Sequence, residues 1–402
     1  MNVNEPTLLS SQERWLIFLA LLIIIVTPFA ADSYTSSMPA ITRALGTTTD
    51  LMQLTMTLYL FGASLSQLVY GPLSDRYGRR PIILYGLMIT VAGSISCAAA
   101  GSLTFLLLAR FIQGAGAGVC NALFRAVLRD SFSGAKMAQA GSYASMFYTV
   151  AYAGAPMIGG YIETYFGWRA NFIFAAAVMF AILTTLYAYF PETHLKLDST
   201  ATKFKDIRTN YMSLLRSPVF IGYTFISSLA FSGLVSYYTA APFILQNVVG
   251  LTAVQFGWLS LGLAVGMFIG QYANAKLVVR IGVSRMLLYG LLLMTFSGFF
   301  MLLFGVMGIL NTWVVIVPVI IFSIASGFVF ANAMTNAFQL VGHIAGVAGA
   351  MYGFLQILGS SLTTILVSGL HERTQVPLAS VYLGLGLAAL IIYYCLSRMR
   401  LN

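Results

Sequence analysis

Residues 71 to 81 read Gly-Pro-Leu-Ser-Asp-Arg-Tyr-Gly-Arg-Arg-Pro, a short charged stretch between two apolar runs. Each run is about 20 residues long, the length that an α-helix needs to cross a bilayer. Only 8% of the 402 residues are charged and 59% are hydrophobic, whereas a soluble domain carries about 25% charged residues. The sequence therefore predicts an all-α membrane protein that crosses the bilayer several times.

Apolar windows separated by charged, proline or glycine residues predict twelve transmembrane helices. These spans lie near 15–38, 51–73, 82–101, 104–127, 139–164, 169–190, 218–240, 253–278, 286–308, 312–339, 347–370 and 380–397. The longest polar stretch separates the first six from the last six. The predicted parts are an N-terminal tail (1–14), a six-helix bundle (15–191), a linker with some surface helix (192–217), a second six-helix bundle (218–397) and a C-terminal tail (398–402).

The distribution of Lys and Arg predicts the orientation in the membrane. With the N-terminus inside, fifteen of these residues fall in cytoplasmic segments, and only Arg43, Arg169 and Arg373 fall in external ones. The positive-inside rule then places both termini in the cytoplasm. The same distribution accounts for the net charge of +10. Because the cations form no continuous basic face, we do not expect a nucleic-acid partner.

No enzymatic or metal-binding pattern is evident in the sequence. Cys97, Cys120 and Cys395 fall in apolar spans without metal-ligand spacing. The three histidines are scattered over connections, and neither a Ser/His/Asp set nor a phosphate-binding loop is present. We therefore expect no enzyme, no metal and no cofactor. A membrane-embedded enzyme or a non-transporting sensor would need a catalytic cluster or a sizeable soluble domain.

Asp32 is the acidic residue that is predicted to lie well inside a span, about six residues from the external end of the first. A carboxylate at such a depth costs about 2.5–3.5 kcal/mol, so it is a functional-site candidate by default. Arg110 on span 4 is predicted at nearly the same depth and is the expected partner. We assign both residues to proton coupling. Two alternatives are a helix-end carboxylate that reaches water and a charge-neutralising pair with a structural role.

Small residues at a spacing of four recur in spans 2, 5, 8 and 11, which allows helix backbones to approach closely. The pattern predicts close packing of these spans, which form the contact between the two halves in the fold that the motifs described below resemble. Generic helix packing is the alternative. The residues are Gly62 and Ser66, Ala155 and Gly159, Gly262, Gly266 and Gly270, and Gly349 and Gly353.

Polar and aromatic residues among many Phe and Met residues predict a flexible central cavity for amphipathic small molecules. One face of span 4, with Arg110, Gly114, Ala117 and Asn121, is expected to line it. For each aromatic residue the alternative is a lipid-facing or core position. The candidate substrate contacts are Tyr34, Tyr59, Gln67, Asn121, Arg125, Tyr148, Tyr237, Tyr238, Asn332, Asn336 and Gln356.

Three motifs resemble signatures of the major facilitator superfamily. The 71–80 stretch, Gly71-x-Leu-x-Asp75-Arg76-x-Gly78-Arg79-Arg80, resembles its loop between spans 2 and 3. Arg110-Phe-Ile-Gln113-Gly114-x-Gly116 resembles the second signature. Ala155-Pro156-x-x-Gly159-Gly160 resembles the Gly-Pro-x-x-Gly-Gly signature of antiporters, with Ala155 in place of the usual Gly. A weak echo of residues 73–78 at 277–282 suits a transporter built from two related halves.

Further motifs resemble the Bcr/CflA subfamily of twelve-span drug:proton antiporters. They are Asp32-x-Tyr34 with Pro39, Arg125-Ala-Val-Leu-Arg129-Asp130, Gly167-Trp168-Arg169-Ala170, Pro191-Glu192-Thr193 and Ala241-Pro242-Phe243-Ile-Leu-Gln246. The resemblance implies two pseudo-symmetric six-helix bundles in the bacterial inner membrane that exchange a small organic molecule for protons. We expect a monomer. A proton-coupled importer or facilitator of a nutrient is the alternative, and the 155–160 signature argues against it.

The resemblance also implies a gating role for Gly71, Asp75, Arg76, Gly78, Arg79 and Asp130. Arg79 would pair with Asp130 at the end of span 4. Asp75 would sit near the cytoplasmic start of span 11, where the helix dipole favours an anion. Together these contacts would close the cytoplasmic side of the outward-facing state. A plain topology anchor is the alternative for the Arg-Arg-Pro sequence.

Overall fold

The computed structural model describes residues 10–195, 197, 201–202, 204–339, 345–370 and 374–399. All regular structure in these ranges is helical, and twelve of the helices have 20 or more residues. We number the twelve in chain order. Their bounds are Ser11–Ala31 (α1), Thr49–Tyr77 (α2), Arg79–Ala98 (α3), Leu103–Ser131 (α4), Gly134–Phe166 (α5), Trp168–Tyr189 (α6), Pro218–Phe243 (α7), Ala253–Ile281 (α8), Val283–Val306 (α9), Thr312–Phe338 (α10), Ala345–Ser368 (α11) and Val376–Met399 (α12).

Two kinds of local sequence set the helix ends. Side chains cap several N-termini, as where Ser10 and Glu13 bond each other's backbone N–H at the start of α1. Single glycines in the left-handed region join α2 to α3, α5 to α6 and α8 to α9, with φ of +97° at Gly78, +79° at Gly167 and +91° at Gly282. The predicted charged loop at 71–81 is therefore almost entirely helical, since α2 runs to Tyr77 and α3 begins at Arg79.

The first span is interrupted, whereas the sequence predicted one continuous helix over 15–38. Beyond α1, a 3₁₀ turn covers Ser33–Ser37 and a short helix covers Met38–Ala44. Side-chain hydroxyls compete with the helix hydrogen bonds here, since Ser33 Oγ donates to Phe29 O at 2.6 Å and Thr35 Oγ1 donates to Asp32 O at 2.6 Å. The apolar segment consequently extends to Ala44.

The helix contacts show two related bundles. In the first half α2 packs on α4, and α3 packs on α4 and α6. The same contacts recur six helices later, where α8 packs on α10, and α9 packs on α10 and α12. The halves meet where α2 contacts α11 and α5 contacts α8. This repetition confirms the predicted pair of pseudo-symmetric six-helix bundles.

Ten of the helical segments in the described ranges are long and apolar enough to cross a membrane. The two long helices outside that set are α2 and α5, which have 29 and 33 residues. Both contain many Gly, Ser, Thr and Tyr residues and contact the opposite half. Their lower hydropathy is explained by protein contacts in place of lipid contacts on one face.

The small-residue stripes of α2 and α8 pack within their own halves. A Cβ on Gly62 would collide with the backbone of Phe111 on α4, and one on Gly266 would lie 2.8 Å from Ile320 O on α10. The prediction that these two stripes form the contact between the halves is therefore wrong. On α5, the predicted Gly159 packs on Ser33 O of its own half, and it is the neighbouring Gly160 that lies against Ala253 O of α8. On α11, a Cβ on the predicted Gly353 would lie 2.5 Å from Gln67 Oε1 of α2. Of the predicted stripe residues, Gly353 therefore does lie between the halves, whereas Gly159 does not.

Candidate functional site

Asp32 lies at the interruption of the first span and is 6% exposed. Its N–H donates to Pro28 O at 2.8 Å and closes the last turn of α1. Within the described ranges its carboxylate has no ion pair within 4.0 Å and no side-chain hydrogen bond, although the charge of Arg110 acts on it through space. Because the apolar segment reaches Ala44, Asp32 lies farther from the C-terminal end of this segment than the sequence predicted.

Arg110 is fully buried, and its partners differ from those that the sequence predicted. Its Nη1 donates to Ala30 O at 2.8 Å and to Gln113 Oε1 at 2.5 Å. The guanidinium carbon lies 4.1 Å from the Tyr34 ring centre and 4.3 Å from the Tyr59 ring centre. Two aromatic faces and a carbonyl therefore stabilise this charge. The expected direct contact with Asp32 is not formed.

The Arg110 face of α4 packs against α2. A Cβ on Gly114 would collide with Tyr59 O, and one on Gly118 would collide with Ser66 Oγ. Asn121 Oδ1 accepts a hydrogen bond from Thr27 Oγ1 at 3.4 Å. The prediction that this face lines a central cavity is wrong, because the glycines let α2 fill that space.

The 155–160 signature on α5 packs against the segment that follows Asp32. A Cβ on Gly159 would collide with Ser33 O, and Pro156 O accepts a hydrogen bond from Ser36 Oγ at 2.7 Å. Ala155 is fully buried, and Gly160 lies against α8 of the second half. The signature therefore joins the interrupted first span to the other bundle, a connection that the sequence did not reveal.

The two halves are in contact at the end of the molecule that carries the C-terminus of α5. Gln246 Nε2 donates to Ser36 O at 3.0 Å, and Trp258 Nε1 donates to Tyr161 Oη at 3.1 Å. Toward the other end, Arg125 is exposed and lies within electrostatic range of Tyr148 on α5 and Tyr352 on α11. Hydrogen bonds between the halves are therefore found at the end that carries the C-terminus of α5, whereas Arg125, toward the end that carries Asp130, is exposed.

Several predicted substrate contacts are bonded inside the protein. Tyr34 Oη lies 2.9 Å from Thr55 Oγ1, and Tyr237 Oη lies 3.5 Å from Ser260 Oγ. Further bonds are Gln67 Nε2 to Ala63 O at 3.3 Å, Asn332 Nδ2 to Asn274 Oδ1 at 2.6 Å, Asn336 Nδ2 to Asn332 O at 3.0 Å, and Gln356 Nε2 to Ser227 Oγ at 2.9 Å.

Three other predicted contacts lie within electrostatic range of Asp32. Its charge acts on Tyr59, Tyr148 and Tyr238, and also on Tyr152, which the sequence reading missed. The Tyr152 ring centre lies 5.9 Å from that of Tyr148 and 5.1 Å from that of Tyr238. Since Tyr152 follows Tyr148 by four residues, helical spacing on α5 would have placed both on one face.

The second cluster lies where α2, α3 and α4 meet and is centred on Arg79, which is 1% exposed. Its Nη1 lies 2.6 Å from Asp75 Oδ1, and its Nε lies 2.9 Å from Asp130 Oδ2. The expected contact with Asp130 is thus present. Arg76 instead donates to Thr202 Oγ1 at 2.6 Å. A Cβ on Gly71 would lie 4.0 Å from Ala350 Cβ on α11, but residues 340–344, just before that helix, lie outside the described residues.

Glu192 completes the Arg79 cluster. Its Oε1 accepts a hydrogen bond from Arg79 N at 2.8 Å, and its Oε2 accepts one from Arg80 N at 3.1 Å. These are unpaired donors of the first turn of α3. A Cβ at Gly78 would collide with the same carboxylate. The Pro191-Glu192-Thr193 motif carries the family resemblance, but nothing in the sequence predicts this role for Glu192.

The linker packs onto the same region. His194 Nδ1 lies 3.6 Å from Asp130 Oδ2. A linker helix covers Phe204–Leu215, and Tyr211 on it donates from Oη to Leu68 O at 3.3 Å. Burial, with the charge of Asp75 acting in the same direction, raises the pKa of Tyr211 to about 12. The linker is thereby tied to α2 and α4. Within the described ranges no group of three His, Cys, Asp or Glu side chains could hold a metal.

Comparison with known proteins places these features in a family. The model of the Major Facilitator Superfamily matches residues 20–395. The chain is 27% identical to a bicyclomycin resistance protein homolog of Haemophilus influenzae, over 98% of this chain and 99% of the relative. It is 28% identical to multidrug resistance protein D of Escherichia coli (94% of each) and 27% identical to a chloramphenicol resistance protein of Pseudomonas aeruginosa (97% and 94%).

Among solved structures, the xylose transporter XylE of E. coli in a partially occluded inward-open conformation superposes with a TM-score of 0.76. The superposition covers 96% of this chain and 98% of the transporter at 14% identity. At this identity the likeness shows the fold alone.

Proposed function

We propose that this chain, which belongs to the Major Facilitator Superfamily of transporters, exports small organic molecules in exchange for protons. Its likeness to proteins named for resistance to bicyclomycin, chloramphenicol and multiple drugs supports a drug or an amphipathic metabolite as the substrate. Residues 15–191 and 218–397 would rock about a central site in the bacterial inner membrane. We further propose a monomer with both termini in the cytoplasm, as the positive-inside count predicts.

The observation that carries the proposal is the environment of Asp32. The carboxyl is buried at an interruption of a membrane span, and no cation pairs with it in the described part of the chain. An intramembrane carboxyl of this kind is a candidate proton carrier. A carboxyl group that is exposed first to the solution on one side of the membrane and then to that on the other can carry a proton between them.

The packing around Asp32 gives a route from protonation to movement. Ser33 and Ser36 directly follow Asp32 and contact Gly159 and Pro156 on α5. Two residues of that signature, Pro156 and Gly160, in turn approach α8 of the second half. A change at the interruption is therefore transmitted to the contact between the halves. In the same scheme, the Arg79 cluster would hold the opposite end closed once in each cycle.

Uptake into proteoliposomes tests this proposal. With an imposed pH gradient, the unmodified protein should accumulate chloramphenicol, and Asp32→Asn should not. Asp32→Asn should retain the melting temperature, because Arg110 has other partners. Asp50→Asn provides the control, since Asp50 lies in the first turn of α2 and the same chemical change there should leave transport intact.

Full gradient-driven transport by Asp32→Asn would remove Asp32 from the mechanism. The direction of accumulation tests the alternative function. Uptake that follows the protons inward, in place of movement against them, would identify an importer and overturn the export proposal.

A further inference from the structure

Four tyrosine hydroxyls in the interior have no hydrogen-bond partner within the described protein. They belong to Tyr59, Tyr152, Tyr238 and Tyr382, and none of these residues is more than 6% exposed. Burying a hydroxyl without a partner costs about 1–3 kcal/mol. Tyr34 shows the ordinary arrangement, because its hydroxyl lies 2.9 Å from Thr55 Oγ1.

The four hydroxyls come from both halves of the transporter. Tyr59 is on α2 and Tyr152 on α5, whereas Tyr238 is on α7 and Tyr382 on α12. Tyr152 and Tyr238 touch across the division in an edge-to-face contact with ring centres 5.1 Å apart. The Tyr382 ring packs at 4.3 Å on Phe322 of the second half. The rings are thus held by packing, and their hydroxyls are left without bonds.

These residues form one group together with Asp32. The Asp32 charge acts on Tyr59, Tyr152 and Tyr238. Tyr382 lies within electrostatic range of Tyr152 and Tyr238. Three of the unbonded hydroxyls therefore belong to residues within electrostatic range of Asp32, and two of these residues, Tyr152 and Tyr238, lie where the two halves meet.

We infer that Tyr152, Tyr238 and Tyr382, together with Tyr59, select uncharged substrates that carry hydroxyl, amide or carbonyl groups on an apolar frame. A phenolic hydroxyl both donates and accepts, so it can pair with any of these groups. The rings supply apolar contact area around them. A cation without hydrogen-bonding groups would leave the hydroxyls unbonded and would gain nothing from them. The inference rests on the proposed export function and names its substrate class.

Tyr→Phe variants test this inference because they remove one oxygen and keep the ring. Chloramphenicol, a neutral aromatic diol with an amide, is the hydrogen-bonding probe. Tetraphenylphosphonium, a cation without donors or acceptors, is the contrasting probe. Tyr152→Phe, Tyr238→Phe and Tyr382→Phe should each weaken chloramphenicol binding by about 2- to 12-fold, the range of one net hydrogen bond. Binding of tetraphenylphosphonium should not change.

The melting temperature of the ligand-free protein separates recognition from a structural role. The three variants should melt no lower than the unmodified protein, because they delete a hydroxyl that bonds nothing in the fold. Tyr34→Phe should melt lower, because it deletes a bonded one.

Unchanged chloramphenicol affinity in all three variants, or no binding by the unmodified protein, would overturn the inference. A drop in melting temperature equal to that of Tyr34→Phe would do the same. Binding is measured on purified protein without a gradient, so failure of proton-driven transport would refute the proposed function and leave this inference intact.

Discussion

Asp75 and Asp130 share one guanidinium but differ in their exposure to water. Both bond Arg79, and the side chain of Asp130 is 13% exposed whereas that of Asp75 is 42% exposed. An exposed ion pair contributes about 0.2–1 kcal/mol, whereas loss of a partner from a buried polar group costs about 1–3 kcal/mol. We therefore expect Asp130→Asn to lower the melting temperature of the purified protein more than Asp75→Asn does.

Asp75, the exposed member of the Arg79 cluster, should contribute more to the transport rate than to the stability of the protein. If Asp75 stabilises one conformer, Asp75→Asn should slow transport of chloramphenicol sharply and leave its affinity within a few fold. Transport and binding assays on the same preparation separate these effects. The opposite order of melting temperatures, or a large loss of affinity with normal cycling, would contradict this account of the Arg79 cluster.

At the scale of the helices, the sequence predicted most of the fold. Apolar length located the twelve long helices, and the repeat of Leu73–Gly78 at Leu277–Gly282 indicated the doubled bundle. Periodicity could not show which neighbour each face meets. The glycines of α2 and α8 have the same spacing whether they face their own half or the other one. Only the three-dimensional packing distinguishes these cases.

The candidate site was predicted less completely. Depth along two spans placed Asp32 and Arg110 at a similar level, but depth says nothing about rotation around each helix. The structure turns Arg110 toward Tyr34 and Tyr59, leaving the direct contact with Asp32 unformed. Helical spacing from Tyr148 assigns Tyr152 to the same face of α5, but spacing does not show which neighbour that face contacts. The place of Tyr152 against the opposite half follows from long-range packing.

Helix α5 offers a matched pair of glycines that tests the packing of its signature. A Cβ on Gly159 would collide with Ser33 O, whereas one on Gly154 meets no atom within 4 Å. Gly159→Ala should destabilise the protein by about 1–3 kcal/mol, because no flexible side chain can yield to the added methyl group. Gly154→Ala should be neutral or stabilise by up to about 1 kcal/mol through helix propensity.

Thermal unfolding and gradient-driven uptake would check both glycine variants. Gly159→Ala should lose stability and transport together, and Gly154→Ala should keep both. Equal behaviour of the two variants would show that close packing of the signature on the interrupted first span is not required.

At the scale of the whole molecule, the 155–160 signature on α5 and the interruption of the first span both lie at the contact between the two halves. The halves meet at the α5–α8 end through Gln246 and Ser36 and through Trp258 and Tyr161. At the other end, Arg125 is exposed to solvent. If the chain is an exporter with both termini in the cytoplasm, as proposed, the bonded end faces the outside and has to open in each cycle to release substrate.

A reversible cross-link at the bonded end tests this requirement. The test variant carries Tyr161→Cys and Trp258→Cys, which place two thiols where the indole and the phenol now meet. It also carries Cys395→Ser, which removes an exposed thiol. A short bis-methanethiosulfonate should join the two introduced thiols and reduce gradient-driven uptake to the level of empty liposomes, and a reductant should restore it. The monofunctional reagent, and each single-cysteine variant, should leave transport unchanged. Continued transport by fully cross-linked protein would mean that this end stays closed during the cycle, and that substrate leaves by another route.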